Sequence, residues 1–300
     1  MINGVINVKK EAGFTSFDVV AKLRGILKMK KIGHTGTLDP DATGVLPVCL
    51  GKATKLCDLL TDRGKSYRCV LLLGKRSDTL DASGEILEEK DPSKVTEEDV
   101  LRALEAFRGE ILQVPPMYSA LKVNGKKLCD LARQGVTVER RPRPVTIHDI
   151  TVVKMDLPRV EMDVTCSKGT YIRTLCDDIG QALKVGGLME SLVRTSSGAF
   201  TLDGAHTLSE IEAFRDAGRL SDILIPIDEI FSDLPAYTAS KDQIKKAVNG
   251  SLLEADLPEG RYRVYLPDGA FVGLYTAKGG TLKLQKMFYS PEEGKKEDKK

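Results

Sequence analysis

The chain has 300 residues, of which 41% are hydrophobic and 29% are charged, and its formal net charge is +2. That balance is ordinary for a globular protein and excludes a disordered chain and a collagen-like repeat. No apolar run approaches the roughly 20 residues of a membrane span, and Lys9 and Lys10 follow the start too closely for a signal peptide. We therefore expect a cytoplasmic protein with no membrane partner, and the length indicates one large domain with a smaller one.

The first quarter of the chain predicts two strands, a helix and a structured loop. The apolar run 4–8 predicts a strand, and Thr15 or Ser16 can cap a helix whose apolar residues share one side. Residues 33–55 are rich in Gly, Thr, Asp and Pro, and they predict a loop with a strand inside it. Residues 66–73 are apolar enough to form a buried strand.

The middle of the chain mixes helices and strands. Thr96 begins a capping-box-like sequence ahead of a helix. Residues 109–144 contain several turn-forming sequences and predict an excursion of loop with a short helix near Leu128. Residues 160–166 alternate apolar and polar, which predicts a half-buried strand, and residues 172–183 have helical spacing. The absence of a regular βαβ rhythm favours an α+β fold.

The C-terminal part has a different character. From about residue 236 onward, short apolar runs are separated by turn sequences such as Pro267-Asp268-Gly269, which predict a small β-meander. About 55 residues bury too little surface alone, so we expect the meander to dock on the larger part. Residues 291–300 carry charges of both signs and no apolar side chain, and they predict a disordered tail.

The cysteine pattern argues against a metal site or a disulfide framework. The spacing contains no CxxC, and only three histidines are present. We expect reduced and mostly buried thiols at Cys49, Cys57, Cys69, Cys129, Cys166 and Cys176.

Charge is unevenly distributed along the chain. Residues 1–75 carry a net charge of +7 and residues 118–144 carry +5, so the remainder is acidic. Two basic segments on a nearly neutral protein can form one positive face, which is typical of proteins that bind a phosphate backbone.

The segment GHTGTLDPDATG (33–44) concentrates functional residue types. Its glycines let a ligand approach the backbone, and its threonine hydroxyls can bond phosphate or ribose. Asp39 precedes a proline, which favours extended backbone and fixes the direction of the carboxylate. The residues alone leave two readings open: a reactive carboxylate, or an Asx-turn in which Asp39 and Asp41 bond their own loop. Neither a GxxxxGKS/T phosphate loop nor a GxGxxG dinucleotide site is present.

A second cluster, SKGTYIR (167–173), lies where the alternating strand ends and the next helix begins. Arg173 falls on the first turn of that helix, where the helix dipole disfavours a cation. It therefore either has a fixed anionic partner or is an ordinary surface arginine.

Four sequence blocks resemble the bacterial tRNA pseudouridine-55 synthases, the TruB family. They occur in the family's order and spacing: GHTGTLDPDATGVLPVCLGKATK (33–55), KSYRCVLLLGKRSDTLDASG (65–84), PPMYSALKVNGKKL (115–128) and CSKGTYIRTLCDDIG (166–180). The resemblance implies a mixed-sheet pseudouridine synthase catalytic domain at 1–232 with a basic thumb-like insertion at 118–144. It also implies a small β-rich, PUA-like RNA-binding domain at 236–290.

The resemblance assigns roles residue by residue. Asp39 matches the aspartate that acts on the uridine, Tyr67 matches a tyrosine that packs on the target base and is a candidate for removing the C5 proton, and Arg173 matches the arginine that ion-pairs with the aspartate. The implied substrate-binding residues are His34, Tyr171, Leu192 and Lys55. The implied RNA-binding residues of the thumb are Lys122, Lys126, Lys127, Arg133, Arg141 and Arg143.

The implied reaction is the isomerisation of uridine-55 in the tRNA T-loop to pseudouridine. The target lies in a folded T-arm, so the enzyme must flip the base out of its stack. The reaction has no net redox change and implies no metal or other cofactor, and the resemblance implies tRNA as partner without guide RNA or an obligate protein partner. Two alternatives remain: a tRNA-binding folding chaperone with secondary catalysis, and a guide-RNA-dependent pseudouridine synthase subunit.

Overall fold

The computed structural model describes residues 2–290, and the tail predicted at 291–300 lies outside them. Within that range the helices are α1 (Ser16–Leu27), α2 (Cys57–Thr61), α3 (Glu97–Ala106), α4 (Leu128–Ala132), α5 (Ile172–Ala182), α6 (Leu208–Asp216) and α7 (Ile244–Val248). Short 3-10 helices lie at Gly51–Leu56, Leu220–Asp222, Glu229–Phe231 and Lys241–Gln243.

The strands form one large sheet, one small sheet and two hairpins. Those of the large sheet are β1 (Gly4–Lys10), β2 (Ile32–His34), β3 (Thr43–Leu50), β4 (Lys65–Leu73), β7 (Gly109–Gln113), β10 (Arg143–Asp156), β11 (Arg159–Cys166), β12 (Gly187–Ser197), β13 (Phe200–Thr201) and β14 (Leu224–Ile225). The hairpins are β5 (Lys75–Ser77) with β6 (Ile86–Glu89), and β8 (Lys122–Val123) with β9 (Lys126–Lys127). Those of the small sheet are β15 (Ala236–Thr238), β16 (Leu253–Glu254), β17 (Gly260–Tyr265), β18 (Phe271–Lys278) and β19 (Thr281–Met287).

The large sheet is mixed, as expected for the α+β class. Its order is β14-β1-β3-β12-β4-β11-β10-β7, with β2 also paired to β3 and β13 to β12. Strand β12 runs parallel to β3 and antiparallel to β4, so it joins the two halves of the sheet. The central position of β12 puts its side chains beside those of β4.

The predicted helices form for the expected local reasons. Thr15, rather than Ser16, is the N-cap of α1, and it forms a capping box with Asp18. Thr96 and Asp99 form the same motif at α3. Helix α5 buries most of its residues in the core that β4 and β11 share, while α1 and α6 pack over β1 and β3. These helices cover the sheet and leave the ends of β4 and β12 open beside the loop after β2.

The prediction that 109–144 is an excursion of loop with a short helix missed a strand at each end and a hairpin in the middle. Strand β7 pairs with the first residues of β10, and a two-stranded hairpin lies between them. The short helix α4 does occur where predicted. Strand β7 is an edge strand with exposed side chains such as Leu112, so it lacks the apolar alternation of a half-buried strand.

The small sheet docks on the large one through apolar side chains. Leu274 and Phe288 of the C-terminal part are buried in one cluster with Val5, Cys49 and Phe231. The docking predicted for the meander is therefore confirmed. Four of the six cysteines are buried and all six are free thiols, as expected. No helix within residues 2–290 is long and apolar enough to cross a membrane.

Candidate active site

A cavity of about 330 Å³ opens between the loop that joins β2 to β3, the strands β4 and β12, and the start of α5. The strands contribute Tyr67 and Leu192, the loop contributes Asp39, and the segment before and at the start of α5 contributes Tyr171 and Arg173. The structure therefore brings together five of the residues predicted to act on or bind the uridine.

The loop that carries Asp39 is anchored from beneath by two neighbouring elements. The ammonium of Lys10, at the end of β1, donates to the carbonyls of Pro40 at 2.8 Å and Ala42 at 2.5 Å. Ser16 and Leu38 bond in both directions, because the Leu38 N–H donates to the Ser16 hydroxyl at 2.9 Å and that hydroxyl reaches the Leu38 carbonyl at 3.3 Å. These contacts come from outside the loop and fix the backbone on both sides of Asp39. An Asx-turn would need only hydrogen bonds within the loop.

Asp39 forms a two-point ion pair with Arg173. Nε of Arg173 lies 3.1 Å from Oδ2 and Nη2 lies 3.2 Å from Oδ1. This fork-to-fork geometry fixes both side chains. The Arg173 side chain is 7% exposed and that of Asp39 is 36% exposed, so the carboxylate faces the cavity while the guanidinium lies behind it. Arg173 thus has the anionic partner that its place on the helix suggested.

The pKa of Asp39 is raised above its ordinary value because burial of the carboxylate outweighs the attraction of Arg173. The nearby carboxylate of Asp81 raises it further. Arg173 acts in the expected direction by favouring the ionised form, but it does not cancel the effect of burial.

Arg173 has three further acceptors that the sequence analysis missed. Its Nη1 donates to the Thr79 carbonyl at 3.1 Å and to the Asp81 carboxylate at 3.4 Å, and its Nη2 donates to the Tyr118 carbonyl at 2.7 Å. Asp81 lies within the second sequence block that resembles the TruB family (65–84), so that block was the signal that could have identified it. The arginine therefore links the loop of Asp39 to Asp81 and to the base of the thumb-like insertion.

Tyr67 lies at the back of the cavity and is 7% exposed. Burial raises the pKa of its phenol above the ordinary value, whereas the guanidinium of Arg194 opposes that rise. Arg194 is on β12, a strand that the sequence analysis did not predict, and it was not among the predicted site residues. Tyr171 is held by Gln113, whose side chain bonds both the N–H and the carbonyl of Tyr171 at 3.0 and 3.2 Å.

Two predicted substrate-binding residues lie outside the cavity lining. His34 is on β2 and its Nδ1 accepts from the Gly36 N–H at 3.3 Å, while burial lowers the pKa of its imidazole. Lys55 lies at the junction with the small sheet, where its Nζ donates to the Met287 carbonyl at 2.7 Å. The structure brings His34 to the loop that carries Asp39, but it does not bring Lys55 to the cavity.

The predicted RNA-binding residues are all exposed, and three of them lie on the hairpin β8–β9. Asn124 and Gly125 both have positive φ, which matches the two-residue turn that Asn-Gly favours. The six exposed cations are Lys122, Lys126, Lys127, Arg133, Arg141 and Arg143. Arg133 is paired with Asp130 at 3.7 Å, and Arg143 belongs to β10 rather than to the insertion. Residues 2–290 contain no cluster of three or more His, Cys, Asp or Glu side chains that could hold a metal ion.

Comparison with known proteins is consistent with this geometry. Residues 24–172 match the N-terminal domain model of the TruB family of pseudouridylate synthases, and residues 173–232 match the tRNA pseudouridylate synthase B C-terminal domain. A tRNA pseudouridine synthase B from Lachnoclostridium phytofermentans is 50% identical over 91% of this chain and 95% of its own. The chain belongs to the TruB family. A second TruB-family relative, tRNA pseudouridine synthase B of Clostridioides difficile strain 630, is 46% identical over 91% of this chain and 94% of its own.

Solved structures share the fold of this TruB-family chain. A chain of a Cbf5-Nop10-Gar1 complex matches with a TM-score of 0.73 and 28% identity, covering 96% of this chain and 86% of that one. A chain of an H/ACA RNP bound to a substrate RNA containing 2′-deoxyuridine matches with a TM-score of 0.72 and 26% identity, covering 96% and 85%. The α+β pseudouridine synthase fold expected from the sequence is therefore confirmed.

Proposed function

We propose that this chain converts uridine-55 of tRNA to pseudouridine without guide RNA, with Asp39 as the group that acts on the nucleoside. The observation that carries the proposal is the Asp39–Arg173 ion pair facing a cavity beside Tyr67. At about 330 Å³ the cavity falls at the lower end of the range for small-ligand sites, which suits one flipped nucleotide. Relatives named tRNA pseudouridine synthase B support tRNA as the substrate.

Other residues suit the binding of the flipped base and of the RNA backbone. Tyr67 and Leu192 offer an aromatic and an apolar surface for a base that has left its stack. The exposed cations of the hairpin β8–β9 and its flanks suit the phosphate backbone of the T-arm. Asp39 can act as a nucleophile in glycosyl chemistry, because a carboxylate can hold a sugar or a base covalently.

The test is tritium release from unmodified tRNA labelled at C5 of its uridines, with no guide RNA added. We expect release from wild-type tRNA and none from tRNA with cytidine at position 55. Tight binding without release would favour the folding chaperone. Release only after a guide RNA is added would favour the relationship to the H/ACA proteins, with which this chain shares less identity.

A further inference from the structure

Arg194 is a buried cation without an acidic partner. It is 1% exposed and is among the largest fully buried side chains. Among residues 2–290 no carboxylate forms an ion pair with it, although buried charges are ordinarily paired. Its Nε donates to the Val45 carbonyl at 2.6 Å and its Nη2 donates to the Gly36 carbonyl at 3.3 Å. Neutral carbonyls satisfy its N–H groups but leave its charge uncompensated.

Arg194 also lies beside Tyr67. The two residues are opposite each other on the neighbouring strands β12 and β4, and both line the cavity. Each group favours the charged form of the other: Arg194 acts to lower the pKa of the phenol, and Tyr67 acts to raise the pKa of the guanidinium. Because a guanidinium can only donate, a hydrogen bond from Arg194 would use a lone pair of the phenol oxygen. The phenol proton is then left free for another acceptor.

Two further buried cations lie in the same region as Arg194. Lys10 on β1 and Lys65 on β4 are 1% and 7% exposed, and each bonds to backbone carbonyls instead of a carboxylate. Burial, with a contribution from Arg194, lowers the pKa of both lysines to about 8. The carboxylates that act on Lys10 are Asp39, Asp41 and Asp18, and the one that acts on Lys65 is Asp62. The other titratable groups of the region are His34, Cys166 and Lys168. Around the phenol of Tyr67 itself, the charge of Arg194 favours the phenolate more strongly than the carboxylate of Asp39 opposes it.

We propose that Arg194 is the positioning residue of Tyr67: it holds the phenol in place and stabilises the phenolate that forms during the isomerisation. The inference rests on the proposed function. The reaction breaks the N1–C1′ bond, forms a C5–C1′ bond and moves one proton from C5 to N1. A neutral phenol at the start, which agrees with the burial of Tyr67, can carry that proton.

The proton and electron pairs balance around Tyr67. The electron pair of the N1–C1′ bond stays on N1 and takes the phenol proton, which leaves a phenolate beside Arg194. C1′ is left electron-deficient, and the Asp39 carboxylate compensates it until the new bond forms. The C5=C6 pair then forms the new bond to C1′, and the phenolate removes the C5 proton, so that the C5–H pair restores C5=C6. The phenol is regenerated, and no other proton donor or acceptor is needed. The charge of Arg194 matters only while the phenolate exists.

The first test is a titration without tRNA, so its outcome does not depend on the proposed function. Phenolate absorbance is recorded against pH for wild type, Arg194→Met and Arg194→Lys, each minus its own Tyr67→Phe version to isolate one of the eight tyrosines. We expect the pKa of Tyr67 to rise in Arg194→Met and to rise less in Arg194→Lys. An unchanged pKa in the folded variants would overturn the proposal.

The second test is single-turnover kinetics with saturating tRNA. We expect Arg194→Met to lower the rate by about 10²-fold or more, in the range found when one charge-stabilising donor is removed, with little change in tRNA affinity. Arg194→Lys should recover at least part of that loss. The matched control is Arg159→Met, since Arg159 is an exposed arginine on β11 that pairs with Glu190. If Arg194→Met does not fold, Arg194→Lys is the deciding variant. A lower rate with an unchanged pKa of Tyr67 would overturn the proposal, because Arg194 would then act only by bonding the carbonyls of Gly36 and Val45.

Discussion

At the scale of single residues, the cavity lining combines one acidic side chain with several buried cations. The buried cations are Lys65, Arg173 and Arg194. Asp39 is the acidic side chain of its lining, and it is held at two points by Arg173. Asp81 lies behind Arg173 and is 14% exposed, so it completes the shell of the guanidinium away from the cavity. This arrangement directs one carboxylate at the substrate and keeps it from rotating.

Asp39→Asn should remove pseudouridine formation and leave tRNA binding nearly unchanged. The amide keeps the shape of the carboxylate but cannot act as a nucleophile, and RNA affinity comes mainly from basic and shape contacts over a wide surface. The measurements are tritium release and filter binding. Asp41→Asn is the matched control, because Asp41 is exposed in the same loop and lies outside the cavity lining. Turnover above a few per cent of wild type in Asp39→Asn would show that Asp39 is not the nucleophile.

Lys10 should make the stability of the protein depend on pH in the alkaline range. Its folded pKa of about 8 lies below the ordinary lysine value of 10.5, so between these values the unfolded chain binds the extra proton. Stability therefore rises with pH in that window, because the cost of a buried charge is relieved as the lysine deprotonates. Relative to Lys10→Met, the wild type should gain on the order of 2 kcal/mol in unfolding free energy between pH 8 and 9.5.

Urea unfolding of both proteins at several pH values measures this difference. Lys65, which has a similarly lowered pKa, is present in both proteins and therefore cancels from the comparison. A difference that stays constant with pH would mean that Lys10 is charged to the same extent in the folded and unfolded states.

At the scale of elements, the hairpin β8–β9 is the part best suited to reach the RNA backbone. Its lysines project from a tight Asn-Gly turn, and no carboxylate within residues 2–290 forms an ion pair with them. The base of the insertion is tied to the cavity, because the Tyr118 carbonyl accepts from Arg173 and the Cys129 N–H donates to the Ser119 carbonyl at 3.1 Å. The hairpin can thus contact RNA while its base remains fixed at the active site.

Replacing Lys122, Lys126 and Lys127 together by Gln should weaken tRNA binding and flatten its salt dependence, with a smaller effect on saturated turnover. Each lost phosphate contact should lower the slope of log affinity against log salt by about one unit or somewhat less. The measurement is tRNA affinity over a series of salt concentrations. The matched control replaces three lysines that already have acidic partners, namely Lys75, Lys90 and Lys154. A slope unchanged from wild type would move the RNA contact to another surface.

At the scale of the whole molecule, the small sheet is attached by apolar contacts and by two lysines, one on each side of the junction. Each lysine donates to a backbone carbonyl on the other side. Lys286 donates to the Lys55 carbonyl and to the Asp58 carboxylate, each at 2.6 Å, while Lys55 donates to the Met287 carbonyl. Lys55, predicted to bind substrate, thus contacts the small sheet. We propose that residues 1–232 are the catalytic domain and that 236–290 add RNA-binding surface, since no residue of the small sheet lines the cavity.

Removing residues 236–300 should leave a protein that isomerises uridine at saturating tRNA but needs a higher tRNA concentration. All four matched blocks lie outside the deletion. Stability should fall, because the deletion exposes the apolar face that Leu274 and Phe288 cover. The measurement is turnover across tRNA concentrations on a soluble protein verified as folded by circular dichroism.

Full-length Lys286→Met is the companion variant for this deletion. It removes the ion pair with Asp58 without uncovering the apolar face, so its saturated turnover should equal that of wild type. A folded truncated protein with no activity at saturation would show that the small sheet belongs to the catalytic unit.

The local features of this protein could be predicted from its sequence because they depend on neighbours along the chain. The N-cap candidates Thr15 and Ser16, the capping-box-like sequence at Thr96 and the alternation in β11 indicate their elements correctly. The resemblance named Asp39, Tyr67 and Arg173, which meet at one cavity. Such patterns report which face of a segment is buried, but they do not report which segment covers it.

Tertiary pairing alone decided the rest of the candidate site. Strand β12 has no clean alternation, since its place between β3 and β4 buries residues on both faces. That place puts Arg194 against Tyr67, and similar long-range contacts bring Lys10 beneath the loop and Asp81 behind Arg173. Lys55 is the opposite case: the resemblance assigned it to substrate binding, but its side chain contacts the small sheet. Contacts between residues far apart in sequence depend on how whole elements pack, and no local period encodes them.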